Sequence, residues 1–308
     1  MMRFELTILG NTTPFPSKGR LPTSQILNIN ERLYLVDCGE GTQIRFNELG
    51  IKRMKIDHIF ISHLHGDHYF GLFGLLGSYR MARRTTPLHI HCPTGLQELI
   101  ELEAKISLAG PFLFPLHFHE TTAKKSKKIL DNADIEVFTI PLKHGEIPTT
   151  GFLFKEKEQP RKMIKSKIAE YNIPFQAIPA IKNGGFFKTP EGKVIKNKEL
   201  TFAPPAPRSY AFCSDTAYHL PIIPIIKNVD LLYHEATFNQ EDGIDASKKG
   251  HSNTIEAATI AKKAKAKKLI LGHFSSRYTD LEALAEEAKT VFKNTEVAEE
   301  KKTFVIGE

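Results

Sequence analysis

The chain has 308 residues, 41% of them hydrophobic and 25% charged, with 20 Gly and 18 Pro. That composition excludes disorder, collagen and coiled coil, and the length is enough to bury a core without disulfides. Forty-two Lys and Arg against 35 Asp and Glu leave a net charge of +7, which points to a phosphate-bearing partner more than to a neutral one.

Met1-Met2-Arg3-Phe4-Glu5 offers no apolar signal core, and no apolar run approaches the ~18 residues of a membrane span, so a cytoplasmic location and no membrane partner are expected. Three scattered cysteines, Cys38, Cys92 and Cys213, read as buried small hydrophobes in a reducing compartment. From the N-terminus, β-type runs recur at Phe4–Leu9, Ser24–Ile29, Leu33–Val36 and Ile56–Ser62, with Asn30-Glu31 as a tight turn. Helical periodicity follows at Gly95–Leu108, Ser252–Lys265 and Leu281–Phe292. Between these lie apolar strands at Ile135–Ile140, Gly151–Phe154, Ser209–Cys213, Leu231–Tyr233, Leu269–Leu271 and Thr303–Ile306. Strands alternating with helices, hairpins included, predict an α/β layered domain with mixed sheets.

One segment breaks the rhythm. From Glu156 to Lys188 an amphipathic stretch (Met163, Ile164, Ile168, Tyr171) precedes Pro174, Pro179 and Gly184-Gly185, which reads as an insertion projecting from the core. Eleven basic against five acidic residues between Phe152 and Leu200 put nearly the whole charge excess in this region, although a lysine-rich solvated face would look the same.

The strongest chemical signal is Ser62-His63-Leu64-His65-Gly66-Asp67-His68 at the end of an apolar run. Three imidazoles and a carboxylate at a strand terminus can converge, His63 and His65 on one metal, Asp67 and His68 on a second. A donor set without thiolate favours a catalytic over a structural ion. The remaining candidates, His144, Asp215 and His273, each follow an apolar run as well. Strand ends along one sheet edge gather into one cleft. Singly, each would more often be a satisfied structural residue; as a set they complete a dinuclear site.

His63-Leu64-His65-Gly66-Asp67-His68 resembles the HxHxDH signature of the metallo-β-lactamase superfamily, and the whole chain is similar to the ribonuclease Z family. The likeness includes Leu9-Gly10-Asn11-Thr12, Asp37-Cys38-Gly39-Glu40, Gly71-Leu72-Phe73-Gly74-Leu75-Leu76, His234-Glu235-Ala236-Thr237-Phe238, His251-Ser252 and His273-Phe274-Ser275-Ser276-Arg277-Tyr278. It implies a metallo-β-lactamase fold over residues 1–308, a four-layer αβ/βα sandwich with a protruding arm at 156–188 that grips tRNA. It also implies a zinc-dependent endonuclease that removes the 3′ trailer of precursor tRNA, working as a homodimer. His63, His65 and His144 would hold one of two Zn2+ per subunit, Asp67, His68 and His273 the other, with Asp215 bridging; Mn2+ or another divalent ion could substitute. Asp67 would double as general base, and His251, oriented by Glu235, would protonate the departing 3′-oxygen. Asp37 would support the ligands from behind. Arg277, Lys18 and Arg20, with Arg161, Lys162 and Lys165 of the arm, would bind substrate phosphates.

The chain departs from the family pattern at Leu21, where Asn is expected in a PxKxRN element, and at Ala217, where Arg is common. In the arm, Ile173-Pro174-Phe175-Gln176-Ala177 lacks the usual Gly-Pro turn. An alternative is a phosphodiesterase of the same fold acting on small phosphodiesters, which would have little use for the basic arm. A catalytically silent RNA-binding relative is disfavoured by the intact ligand set.

Overall fold

A computed structural model describes residues 3–107, 110–242 and 244–307. The chain divides into a larger unit, 2–155 with 208–308, and a smaller one, 156–207.

The larger unit is built on two seven-stranded sheets. The first runs, in spatial order, Thr303–Val305, Phe4–Gly10, Ser24–Ile29, Arg32–Cys38, Ile56–Phe60, Leu88–Cys92 and Leu116–Glu120. The second runs Thr295–Val297, Lys268–Gly272, Leu231–Glu235, Ser209–Cys213, Thr150–Glu156, Ile135–Pro141 and Lys128–Asp131. Alternation along the strands gives each sheet two apolar faces. Phe4, Leu6, Tyr34, Val36 and Phe60 of the first meet Val137, Phe152, Phe154, Phe212 and Tyr233 of the second in a shared inner layer. The opposite face of the first sheet, with Leu9, Ile26, Leu35 and Ile59, buries Phe46 of helix Thr42–Glu48, Leu72, Leu75 and Leu76 of Gly66–Met81, and Leu96 and Ile100 of Leu96–Ile106. Ala211, Leu232, Leu269 and Leu271 of the second sheet pack outward on the small residues of Thr254–Ala264 and Glu282–Lys289. Helix, sheet, sheet, helix is the four-layer order the resemblance implies.

Asn30 and Glu31 make the expected tight turn, both at positive φ (51° and 65°), between strands paired through Ile29 and Arg32. Parallel pairing joins Arg32–Cys38 to Ile56–Phe60 in the first sheet, and Ser209–Cys213 to Leu231–Glu235 to Lys268–Gly272 in the second. Each sheet therefore delivers several C-terminal strand ends to one edge. The run read as a strand to Ser62 ends as a strand at Phe60, although Ile61 stays buried and its amide still donates to the His91 carbonyl oxygen at 2.8 Å. The three cysteines are free and buried, as expected. Gly71–Leu76 falls within helix Gly66–Met81, with Leu72, Leu75 and Leu76 in the core. No described helix is long and apolar enough to cross a membrane.

The smaller unit holds two short antiparallel strand pairs, Lys162–Met163 with Thr201–Phe202 and the hairpin Phe187–Lys188 with Val194–Ile195, and short helices at Lys165–Glu170, Ile178–Lys182 and Asn197–Leu200. Its own core is Ile173, Ile181, Ile195 and Leu200, against which Met163, Ile168 and Tyr171 pack. The unit ends at Pro207, not at Lys188: Ile195 and Leu200, which lie beyond that boundary, supply half of the four buried residues.

Candidate metal centre

The loop after Phe60 carries Ser62 and His63, His65 caps the next helix, and Asp67 and His68 occupy its first turn. Side chains from the second sheet's edge meet them. Nε2 of His63, Nδ1 of His65 and Nε2 of His144 surround Oδ2 of Asp215: His144 lies 3.3 Å from His65 and 3.8 Å from that oxygen, and His63 3.5 Å from it. Oδ1 of Asp215 faces the other way, 3.2 Å from Nε2 of His68 and 3.1 Å from Nε2 of His273, and Oδ2 of Asp67 completes that group at 3.7 and 3.6 Å from the same two nitrogens. The donor atoms of His63, His65, His144 and Asp215 lie within 4.8 Å of one another, as do those of Asp67, His68 and His273. One carboxylate thus stands between two clusters, each with imidazole and carboxylate donors and no thiolate.

The far sides of these ligands are fixed. Asp37, fully buried, accepts from Nδ1 of His68 at 2.7 Å and from the Ser62 amide and hydroxyl at 2.8 and 2.9 Å. Gly250 carbonyl oxygen meets Nδ1 of His144 at 2.7 Å, the Thr237 hydroxyl meets Nδ1 of His273 at 3.0 Å, and the Thr13 hydroxyl donates to Asp67 at 2.7 Å. Such outer contacts set ring orientation and raise ligand basicity. Thr13 escaped the sequence reading, and Thr237 entered it only as part of the segment His234–Phe238, with no role; a threonine hydroxyl carries no signal of its own.

Three of the polar residues sit at positive φ: Asp37 (54°) in a bulge near the end of strand Arg32–Cys38, and Asp215 (52°) and His273 (56°) just past the ends of theirs. Non-glycine residues there carry strain of about 1–3 kcal/mol each, tolerated where the surroundings fix them.

The electrostatics suit a cation. Burial drives His63 well below the usual imidazole range, and the neighbouring imidazoles add to it. Burial opposes charge on His68 too, but Asp215, Asp67 and Asp37 outweigh it and hold that ring well above the range. Nε2 of His63 is buried with no hydrogen-bond partner. An unsatisfied buried nitrogen costs about 1–3 kcal/mol, which a coordinated ion would offset. The donor residues therefore fit divalent metal.

Beside the clusters lies His251, its side chain 16% exposed, with Nδ1 2.9 Å from Oε1 of the fully buried Glu235. Burial works against the imidazolium, yet the Glu235 charge and hydrogen bond, with Asp215 behind, lift His251 to about 9. A cavity of about 430 Å³ opens here, lined by Thr13, Pro14, His65, Asp67, Phe70, Asp215 and His251 among others.

Of the expected phosphate binders, Lys18 donates to the carbonyl of Arg277 at 3.0 Å, and Arg20 to that of Tyr278 at 2.7 Å. The loop bearing both is therefore tied to the segment after His273; Arg20 acts here as a brace. Arg161, whose Nε donates to Thr201 at 2.6 Å, lies in the smaller unit with Lys162 and Lys165. Ala217 is buried.

Two facing sheets flanked by helices, with a His/Asp double cluster at their shared edge, define a metallo-β-lactamase-fold hydrolase binding divalent metal. Solved structures agree: the fold matches the metallo-β-lactamase fold protein YhfI from Bacillus subtilis over 99% of each chain (TM-score 0.69, 18% identity). It also matches human tRNase Z, short form, over 99% of this chain and 100% of that one (TM-score 0.70, 26% identity). Curated relatives named ribonuclease Z include one from Bacteroides thetaiotaomicron, 43% identical over 100% of this chain and 96% of its own length, and one from Cytophaga hutchinsonii, 42% identical over 100% and 97%. The chain belongs to the ribonuclease Z family, and its residues 4–158 also match the family model described as Anti-Pycsar protein Apyc1.

Proposed function

We propose that this protein is the endonuclease that removes the 3′ trailer from precursor tRNA, leaving a 3′-hydroxyl on the tRNA and a 5′-phosphate on the trailer. The observation that carries the reading is the Asp215 carboxylate, divided between two three-residue clusters, with the Glu235–His251 pair alongside. Relatives at this identity and coverage support the substrate class.

Two divalent ions, zinc in the first instance and manganese as the alternative, fit the donors: His63, His65 and His144 would hold one, Asp67, His68 and His273 the other, and Asp215 both. Bound there, they would supply an acidified water and neutralise charge developing on the phosphoryl oxygens. The chain's own groups would do the rest. Asp67, held by the Thr13 hydroxyl, accepts the proton of the attacking water. As the bond from phosphorus to the 3′-oxygen breaks, His251 donates a proton to that oxygen, and Glu235 keeps the ring oriented and charged. The phosphate stays on the trailer. Arg277 and Lys18 lie on the segment and loop flanking the cluster and would take phosphates beside the cut; Arg161, Lys162 and Lys165 of the smaller unit would take the backbone further along the RNA. The free buried cysteines support a cytoplasmic setting, and a homodimer is the working assembly, open to test by sedimentation.

Incubating the protein and zinc with a 3′-extended precursor tRNA, with products mapped to the nucleotide, tests the reading. One cut after the discriminator nucleotide is expected. An intact precursor alongside hydrolysis of a small diester would assign the protein to small phosphodiesters instead.

A further inference from the structure

Away from the metal centre, the first sheet carries a second group of histidines. Strands Ile56–Phe60, Leu88–Cys92 and Leu116–Glu120 run parallel in direct register, so that His58 lies beside His89 beside His117, and Phe60 beside His91 beside His119. Because side chains alternate along a strand, all five imidazoles stand on one face, extending outward the surface that Phe60 presents to the inter-sheet core. The rings stack: centroids are 4.9 Å apart for His58 and His89, 4.8 Å for His89 and His117, and 4.7 Å for His91 and His119, with planes within 16–21° of parallel.

Two diagonal contacts repeat across the grid. Nδ1 of His58 lies 3.2 Å from Nε2 of His91, and Nδ1 of His89 2.9 Å from Nε2 of His119. Exposure grows outward, from buried His91 through half-buried His58 and His89 to exposed His117 and His119 on the edge strand. Each of these ring nitrogens meets another imidazole, and the Asp57 charge that favours protonation of His89 is outweighed. The rings are accordingly kept neutral: burial, reinforced by neighbouring imidazoles, pushes His58 to about 4 and His91 to about 2, and lowers His89 and His119. Neutral imidazole is the form that binds a metal.

A plain explanation is a chain of neutral histidine hydrogen bonds. It accounts for the inner pair, His58 and His91, which lies behind the exposed rings. At the outer pair the geometry does more. Two imidazole nitrogens on one tetrahedral zinc ion stand about 3.3 Å apart, so the 2.9 Å separation of His89 and His119 needs to open by only a few tenths of an ångström. His117, two residues before His119 on the same face, is exposed and stacked on His89, and turning its ring out of that stack would offer a third donor. We propose that His89 and His119, joined by His117, form a third metal site, separate from the catalytic cluster and selective for borderline transition-metal ions such as Cu2+, Ni2+ and Zn2+. All-imidazole donors favour these over Mg2+ or Ca2+, and Cu2+ most. The ion links edge strand Leu116–Glu120 to Leu88–Cys92 by a bond that does not depend on the ladder, and so stabilises a strand that, among the described residues, pairs on one side.

The test uses the full chain loaded with its catalytic metal. After incubation with Cu2+ or Zn2+ and gel filtration, metal analysis is expected to find one equivalent more than in the double variant His117→Asn/His119→Asn. That variant should hydrolyse bis-p-nitrophenyl phosphate at the wild-type rate. Added Cu2+ should raise Tm by several degrees in the wild type and not in the variant, as binding to the folded state alone requires. His89→Asn supplies a second variant from the neighbouring strand. Wild-type protein with no extra equivalent, or variants that keep it, would overturn the proposal.

Discussion

Oε1 of Glu235 lies 2.9 Å from Nδ1 of His251, while Oε2 of the same carboxylate accepts the Thr237 hydroxyl at 2.7 Å, which itself stands 3.0 Å from Nδ1 of His273. One buried charge therefore orients both the proposed proton donor and an imidazole of the cluster. His251→Ala should lower kcat on precursor tRNA by about 10²–10⁴-fold, the usual worth of a general acid, with metal content unchanged. The pH profile gives the sign. The donating form is imidazolium, present below about 9 and lost above it, so kcat falls as pH rises through that value. Glu235→Gln removes the charge that raises the pKa and should move this alkaline limb to lower pH; an unmoved limb would mean the limb belongs to another group.

Asp215 and Asp37 make a contrasting pair. Asp215 turns one oxygen to each cluster, so Asp215→Ala should strip both ions, whereas His63→Ala should weaken one. Asp37 reaches the site only through His68 and Ser62, and Asp37→Ala should cost about 10–100-fold in metal affinity, the range for outer partners of metal ligands. Metal-to-protein ratios across a chelator series separate the three.

Asp67 is held by Thr13 and lines the cavity beside the two clusters. Asp67→Ala should abolish cleavage of precursor tRNA while leaving its affinity largely intact, read by single-turnover kinetics beside a binding titration. Unchanged turnover would remove the residue from the mechanism.

Much of this was visible in the residues. The apolar runs ending at His144, Asp215 and His273 marked strand ends, and strand ends of a layered α/β fold converge, so three ligands far apart in sequence could be grouped with the histidine signature. Hydrophobicity, however, reports burial and not ladder membership. Ile61 is buried beyond the end of its strand, and the run therefore overstated the strand by two residues. The smaller unit's end was missed for a related reason. Ile195 and Leu200 join Ile173 and Ile181 in a four-residue core through two-residue strands and a four-residue helix, too short to leave a periodic trace. Positive φ at Asp37, Asp215 and His273 was equally hidden, since nothing in the side-chain pattern of a non-glycine residue marks it.

Gly71 shows how close packing aims the signature. A Cβ there would stand 2.1 Å from the Gly39 carbonyl oxygen and 2.9 Å from that of Cys38, so its absence lets helix Gly66–Met81 lie against the strand end behind Asp37. Gly71→Ala should push the helix away, cost about 1–3 kcal/mol, and weaken metal binding by displacing Asp67 and His68. A Cβ on Gly77 of the same helix would meet nothing within 4 Å. Gly77→Ala should therefore stabilise, by about 0.5–1 kcal/mol, because alanine loses less backbone freedom in a helix. Thermal melts of both variants give the comparison.

The smaller unit enters and leaves the larger one at neighbouring points. Lys155 pairs directly with Ser209 across two antiparallel strands, so excising 156–207 leaves two ends that an Asn-Gly turn can close as an ordinary hairpin. The shortened chain should fold, bind metal and hydrolyse bis-p-nitrophenyl phosphate as the full chain does. Its affinity for precursor tRNA should fall by about tenfold or more, with a shallower dependence on salt, since each lost phosphate contact removes about 0.9 from the slope of log K against log salt. Parallel loss of both activities would instead make the segment part of the catalytic body; retained tRNA affinity would move RNA recognition to Lys18, Arg277 and the rim of the metal centre.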